Sequence, residues 1–344
     1  MKVLHVLNTG SYSGAENVII TIINHLKKDP SIECVYVSLY GDIGERLRKE
    51  NIAYYPVEKL SVANLKRAFQ DLQPDIIHAH DFTASILTAF CFPKAKVISH
   101  IHNNSPWIQS FNANSIAFLL ASLLNDQILT VSNAVEEEYI FSKFIHKKIK
   151  CIGNPIDLKA IREKANAKQA SEHFDVLFLG RLTEQKNPPM IVSVFEKLCK
   201  LFPHIQIGII GTGDQADYFH EHLDSISQVR FYGFLENPYP IVKNSKILFM
   251  PSKWEGYGLV AVEALSLGLP VVCSGAGGLK NIVNDACGLI ASKENDYINE
   301  IEKLLKNQSY YEEKSKNAIQ RAEQINNIDE YMKTIDDLYH RLAK

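Results

Sequence analysis

Two α/β domains, each a doubly wound parallel sheet, are what this 344-residue sequence predicts. Three observations carry that expectation. Short β-branched runs alternate with amphipathic stretches along the whole chain, the pattern of the first half repeats in the second, and the length exceeds one ordinary core but suits two. Hydrophobic residues make up 46% and charged residues 22%, enough apolar mass to fill both.

In the first half the strand-like runs are Lys2–Leu7, Cys34–Leu39, Ile52–Val57, Asp75–His80, Lys96–His102, Ile128–Ser132 and Lys148–Ile152. Amphipathic segments such as ENVIITIINHLKK and NLKRAFQDL lie between several of them. Continuous apolar strands separated by such helices are buried on both faces, which is the mark of a parallel sheet. The second half repeats the pattern with DVLFLG, IQIGIIG, VRFYGF, KILFMP, LPVVCSG and CGLIAS. The polar segment DLKAIREKANAKQASEHFD, after the Asn154-Pro155 turn, predicts the junction. Domains of 1–165 and 166–327 follow, and a terminal helix, 328–344, comes after the second. In open sheets of this kind ligands bind beyond the carboxyl ends of the strands, so two such sheets predict a central cleft between them.

The formal net charge of −2 argues for neither a nucleic acid nor an acidic partner. Six cysteines are scattered without a CxxC pair, so no disulfide framework or zinc site is legible. The start, MKVLHVLNTGSYSG, lacks the apolar stretch of a signal peptide, and no apolar run could span a bilayer. The cytoplasm is the expected compartment.

The richest motif is KWEGYGLVAVEALSLGLP, at 253–270. After strand KILFMP, Glu255 precedes Gly256-Tyr257-Gly258, and Leu259 opens a helix that carries Glu263 in its second turn, on the order of 10 Å from Glu255. Glycines let the backbone approach a ligand, and the free N–H groups of a helix start favour an anion. Two carboxylates flanking a phosphate cradle suit a nucleotide-sugar, with sugar hydroxyls on Glu255 and ribose hydroxyls on Glu263. In FLGRLTEQKNP, Gly180 ends a strand and Arg181 and Lys186 share one short loop. Two cations there can neutralise a diphosphate leaving group without a metal. Gly10 and Gly14 in TGSYSGAE, and Gly211 and Gly213 in GTGD, are strand-to-helix turns without GxGxxG spacing, which argues against a dinucleotide enzyme. Histidines end two strands, in DIIHAHD and VISHIHNN. His78 and His100 read as structural; His102, followed by Asn103 and Asn104, is the candidate for the cleft.

Together these motifs resemble the retaining GT-B glycosyltransferases of glycosyltransferase family four, also called group one. VSNAV at 131–135 and GNPID at 153–157 belong to the resemblance, which covers nearly the whole chain. It implies two Rossmann-like domains, with a nucleotide-sugar held mainly by the second. Gly180, Arg181, Lys186, Gly211, Gly213, Glu255, Gly256, Tyr257, Gly258, Leu259 and Glu263 form the donor side. Arg181 and Lys186 hold the diphosphate, and Gly10, Gly14, His102 and Asn103 lie on the acceptor side. Glu255, Arg181, Lys186 and His102 are the expected catalytic residues. The resemblance also implies retention of anomeric configuration, a C-terminal helix packed back on the first domain, and no cofactor or metal. Asn281 stands where relatives often carry a glutamate, and GSYSGAE replaces a compact double glycine.

The expected activity is hexosyl or N-acetylhexosaminyl transfer, from a UDP-sugar to a glycan or to a polyprenyl or other lipid-linked acceptor. Bacterial capsule, exopolysaccharide or lipopolysaccharide synthesis is the setting that the resemblance implies. SPWIQSFNANSIAFLLASLL, with Trp107, Phe111 and Phe118, and IFSKFIHKKIK, with Lys143, Lys147, Lys148 and Lys150, combine aromatics with positive charge. Such a surface suits peripheral contact with anionic lipid on the inner face of the cell membrane, each lysine contributing on the order of 1 kcal/mol. Because the positive excess is only local, a core helix followed by a solvated, charged helix end is the leading alternative. Two rivals stay open: a nucleotide-sugar epimerase or hydrolase on the same fold, and a non-catalytic sugar-nucleotide-binding scaffold.

Overall fold

The computed structural model describes residues 1–167 and 172–344. It divides into two compact units, 1–155 with 328–344, and 156–327.

In the first unit, among the described residues, seven strands form one parallel sheet: β1 (Lys2–Val6), β2 (Glu33–Leu39), β3 (Ala53–Val57), β4 (Ile76–Ala79), β5 (Lys96–Ile101), β6 (Gln127–Thr130) and β7 (Ile149–Cys151). Their order is β3-β2-β1-β4-β5-β6-β7, so the winding reverses beside β1. Side chains alternate between faces. Leu4 and Val6 of β1 enter one core with Val35, Val37 and Ile77, while Leu7 and Tyr36 join Ile19 and Ile23 of helix Gly14–Leu26 in another. Helices begin where short polar side chains accept backbone N–H groups: Asp81 caps helix Phe82–Cys91, and Asn112 and Ser115 form a capping box at Ala113–Leu124. Helix Ile328–Leu342 belongs to this unit, with Tyr331, Ile335 and Tyr339 buried.

The second unit carries a six-stranded parallel sheet among the described residues: β8 (Phe174–Leu179), β9 (Ile207–Ile210), β10 (Val229–Phe231), β11 (Ser245–Met250), β12 (Val271–Cys273) and β13 (Gly288–Ile290). The order β10-β9-β8-β11-β12-β13 reverses at β8. Val176 and Phe178 face a core with Ile191 and Phe195 of helix Pro188–Leu201, while Leu177 faces one with Ala261 and Leu265 of helix Leu259–Ser266. Both faces are covered, which is why these strands read as unbroken apolar runs.

The units change at Pro155, not after residue 165. Helix Leu158–Asn166, read from the sequence as linker, belongs to the second unit: Leu158 and Ile161 are buried with Leu265 and Ala318, and Arg162 pairs with Glu323 at 2.6 Å. Its charged outer face disguised an apolar inner one. Positions 168–171 of the expected linker lie outside the described residues.

Candidate functional site

In the second unit, β8 has β9 on one side and β11 on the other, so the residues after these three strands meet at the reversal point. Gly180 and Arg181 follow β8, Gly211 and Gly213 follow β9, and residues 251–258 follow β11. Close backbone contact fixes two glycines here, Gly213 against the Leu182 carbonyl and Gly211 more tightly still. Gly211 has φ +141°, and a Cβ on it would fall 1.9 Å from the Gly180 carbonyl oxygen. No side chain fits that gap.

Lys186 and Glu255 form the centre of the group. Their Nζ and Oε2 lie 2.6 Å apart, with 9% and 13% of the side chains exposed. Ser252 donates a second, longer bond to the same carboxylate oxygen, at 3.3 Å. The loop between them is tied down by Gln185, whose side chain donates to Trp254 O and whose carbonyl accepts from Lys253 N. Asn187 takes a left-handed conformation and donates to Pro251 O at 3.1 Å. The sequence placed Lys186 against phosphate and Glu255 against sugar; the structure bonds the two to each other, across 69 residues of chain.

Gly258 precedes helix Leu259–Ser266 with φ +101°, and a Cβ there would sit 2.7 Å from Leu279 Cδ2. Helical bonding starts at Ala261, whose N–H reaches Gly258 O, so the amides before it form the positive end of the helix. Tyr257 and Leu259 are half-buried beside it and Gly256 is buried. Arg181 is exposed, and among the described residues its guanidinium makes no ion pair that would spend its charge. Glu263 lies half-buried on the same helix, and burial pushes its carboxyl up to about 7 against the opposing effects of Tyr239 and Lys164. A carboxyl poised there changes charge near neutrality.

In the first unit, Gly10 follows β1 and packs against the backbone of Tyr40 and Gly41, while Gly14 opens helix Gly14–Leu26. Ser13 Oγ donates to Glu16 at 2.6 Å beneath that turn. His102 lies just past β5, half-buried, with Asn103 beside it. Asn104 is turned inward and donates to Glu138 at 3.0 Å.

The structure adds what the sequence did not suggest. His5 stands in register with His78, and His5, His78, His80, His100 and His102 form one layer of imidazoles across β1, β4 and β5. His5 Nδ1 meets His80 Nε2 at 3.0 Å, and His80 Nδ1 meets His102 Nε2 at 3.0 Å. His78 Nδ1 meets the Tyr339 hydroxyl at 2.6 Å. Burial lowers all five, with His5 and His102 taken to about 3, so the rings are neutral at pH 7. The alternation of DIIHAHD could place His78 and His80 on one face; joining His5 to them needs the strand order.

The two aromatic and basic stretches of the first unit divide between the two sequence readings. Phe118 is fully buried and belongs to the core. Lys148 caps a helix end, donating to the carbonyls of Ser122, Leu123 and Asn125. What lies outside is Phe111 at 74% exposure and Phe144 at 71%, with Leu120, Leu123, Leu124 and Ile140, beside exposed Lys143, Lys147 and Lys150. No helix among the described residues is long and apolar enough to cross a membrane.

Comparison with known proteins bears on the family and the fold. Residues 12–160 match the model of Glycosyltransferase Family 4 and residues 160–324 that of Glycosyl transferases group 1. An uncharacterized glycosyltransferase of Methanocaldococcus jannaschii is 29% identical over 61% of this chain, which spans 60% of that protein's length. One of Haemophilus influenzae is 26% identical over 88% of this chain and 87% of its own. The O-antigen biosynthesis glycosyltransferase WbnH of Escherichia coli is 26% identical over 56% and 55%. Among solved structures, Anabaena HepE in complex with UDP-glucose superposes with a TM-score of 0.84 at 19% identity, covering 99% of this chain and 100% of that one. The UDP-GlcNAc 2-epimerase of Neisseria meningitidis superposes at 0.70 and 18% identity, over 99% and 100%. The fold is therefore GT-B. Fold alone does not separate transfer from epimerisation.

Proposed function

We propose, from the premise that this chain is a group 1 glycosyltransferase, that it moves a hexose or N-acetylhexosamine with retention from a UDP-sugar to a glycan or lipid-linked acceptor during bacterial surface-polysaccharide synthesis. The observation that carries the reading is the buried Lys186–Glu255 pair beside the start of helix Leu259–Ser266. The donor diphosphate lies against that helix start. Lys186 keeps N–H donors beyond the one given to Glu255, and with Arg181 it stabilises the charge that grows on the departing phosphate. Glu255, oriented by Lys186 and Ser252, accepts from sugar hydroxyls; Glu263 accepts from the ribose. His102 and Asn103, with the turn from Gly10 to Gly14, serve the acceptor side. For retention, the acceptor oxygen attacks from the face that the phosphate leaves, and the phosphate oxygen takes its proton.

No cofactor enters this scheme, and Arg181 and Lys186 replace the metal that other sugar transferases use, so added Mg2+ or Mn2+ leaves the rate unchanged. The exposed aromatics and lysines of the first unit rest on anionic lipid, which brings the protein to a lipid-linked acceptor. Phe144→Ser with Phe111→Ser should then lower binding to anionic vesicles several-fold and leave neutral vesicles unaffected; equal binding by the variant removes the membrane from the proposal.

The deciding experiment offers the purified chain UDP-, GDP- and ADP-sugars with polyprenyl-linked acceptors, with product masses and anomeric couplings as readout. Transfer with retention supports the reading. An altered sugar or free sugar released without acceptor returns the epimerase or hydrolase, and binding without turnover returns the scaffold.

A further inference from the structure

The imidazole layer of the first unit plays no part in the donor chemistry, yet it is the densest group of ligating side chains in the described residues. Two triads, His5/His78/His80 and His80/His100/His102, each offer nitrogens within 4.8 Å of one another. The buried ring atoms His5 Nε2, His78 Nε2, His100 Nδ1, His100 Nε2 and His102 Nδ1 have no hydrogen-bond partner. Leaving a buried polar atom unpaired costs about 1–3 kcal/mol. Several such atoms in one layer point to a ligand that accepts lone pairs.

We propose that His80, His100 and His102 form a site for one divalent transition-metal ion. The choice between triads follows from the ring contacts. If His80 ligates through Nδ1, its Nε2–H is free to donate to His5 Nδ1, 3.0 Å away, the outer bond by which a metal-binding histidine is normally held. His102 faces the same point through Nε2, and His100 has both nitrogens to offer. His78, held by Tyr339, stacks on His80 with centroids 4.1 Å apart and steadies that ring. The ligand set is all imidazole, without carboxylate or thiolate. It therefore selects Zn2+, Co2+, Ni2+ or Cu2+ and refuses Mg2+ and Ca2+, which require oxygen. Three nitrogens leave a tetrahedral ion one further position. His102, the most exposed of the three ligands, marks the side from which the ion enters.

The test uses the full chain without a polyhistidine tag, stripped with dipicolinate at pH 7.5 and titrated with Co2+ and with Zn2+. Elemental analysis, the visible absorption of bound Co2+ and the melting temperature are read together. The expected result is one tight equivalent, a Co2+ band of four-coordinate intensity and a higher melting temperature. His100→Gln and His102→Gln should each lose the band and at least tenfold in affinity, while His220→Ala, on the surface of the other unit, should lose neither. Two ligand variants are used so that loss of fold in one leaves the other to decide, with circular dichroism as the check on each. Absence of a saturable equivalent in the wild-type chain overturns the proposal, and so does a Co2+ band that survives both ligand variants. Neither result bears on Lys186 and Glu255, so the donor reading stands or falls separately.

Discussion

The two sheets share one winding plan and differ in how they bury polar groups. Beyond β8 and β11 the second unit buries opposite charges against each other, Lys186 on Glu255. Across β1, β4 and β5 the first unit gathers five titratable rings that stay neutral, three of them, His5, His80 and His102, joined in a hydrogen-bonded chain. A buried ion pair becomes a large liability when one partner is lost, whereas a neutral layer loses one hydrogen bond at a time. The difference predicts separate consequences: damage to the first kind falls on the reaction, and damage to the second, His102 on the acceptor side apart, falls on stability.

The largest effect tests the charged half. Lys186→Ala removes a cation and leaves Glu255 as an unpaired carboxylate facing the donor diphosphate. Transfer should fall by about 10³-fold, which is about 4 kcal/mol of lost transition-state stabilisation. Adding Glu255→Gln to that variant should recover part of the loss, because the repulsion goes with the charge. Arg181→Ala strands no partner and should cost less than Lys186→Ala. Steady-state kinetics of the four proteins decide it. A double variant worse than Lys186→Ala alone would show that Glu255 does not act through its pairing with Lys186.

The next effect tests the neutral half. Tyr339→Phe deletes the hydroxyl that meets His78 Nδ1 and leaves that nitrogen buried without a partner. Stability should drop by about 1–3 kcal/mol in urea unfolding, while the affinity for a UDP-sugar stays within twofold. A change in affinity as large as the change in stability would erase the distinction between the regions.

How much of this was legible before the structure depended on distance along the chain. Gly180, Arg181 and Lys186 lie in one loop, and Glu255 and Glu263 on either side of one helix start, so their chemistry could be read as motifs. The pairing of Lys186 with Glu255 could not, since it depends on β8 lying next to β11. For the same reason His5 stayed hidden, although it sits in a plain strand pattern. Phe118 and Lys148 were left between core and surface for another cause. An aromatic or a lysine on an amphipathic stretch shows its face only when its neighbours are known, and here one fills the core and the other caps a helix. Helix Leu158–Asn166 looked like a linker because its polar positions outnumber the few that pack.

The smallest effect concerns Glu263, the titratable group on the charged side whose pairing is incomplete. Its folded carboxyl sits at about 7 against 4.5 for the free side chain. A carboxyl raised in this way favours the folded chain most at low pH, and the contribution is lost as pH rises through the folded value. Binding runs the other way. A ribose hydroxyl donates to the carboxylate, so the donor prefers the ionised form, and affinity should rise about tenfold between pH 6 and pH 8 before levelling. A UDP-sugar is the right probe, because its diphosphate does not titrate in this range. Calorimetry should show the bound complex releasing a proton at pH 6, and Glu263→Gln should bind more weakly with a flat profile. If the wild-type profile is flat as well, the ribose does not meet Glu263. The carboxyl then belongs with the imidazoles of the other unit, as a buried polar group kept neutral for the sake of the fold.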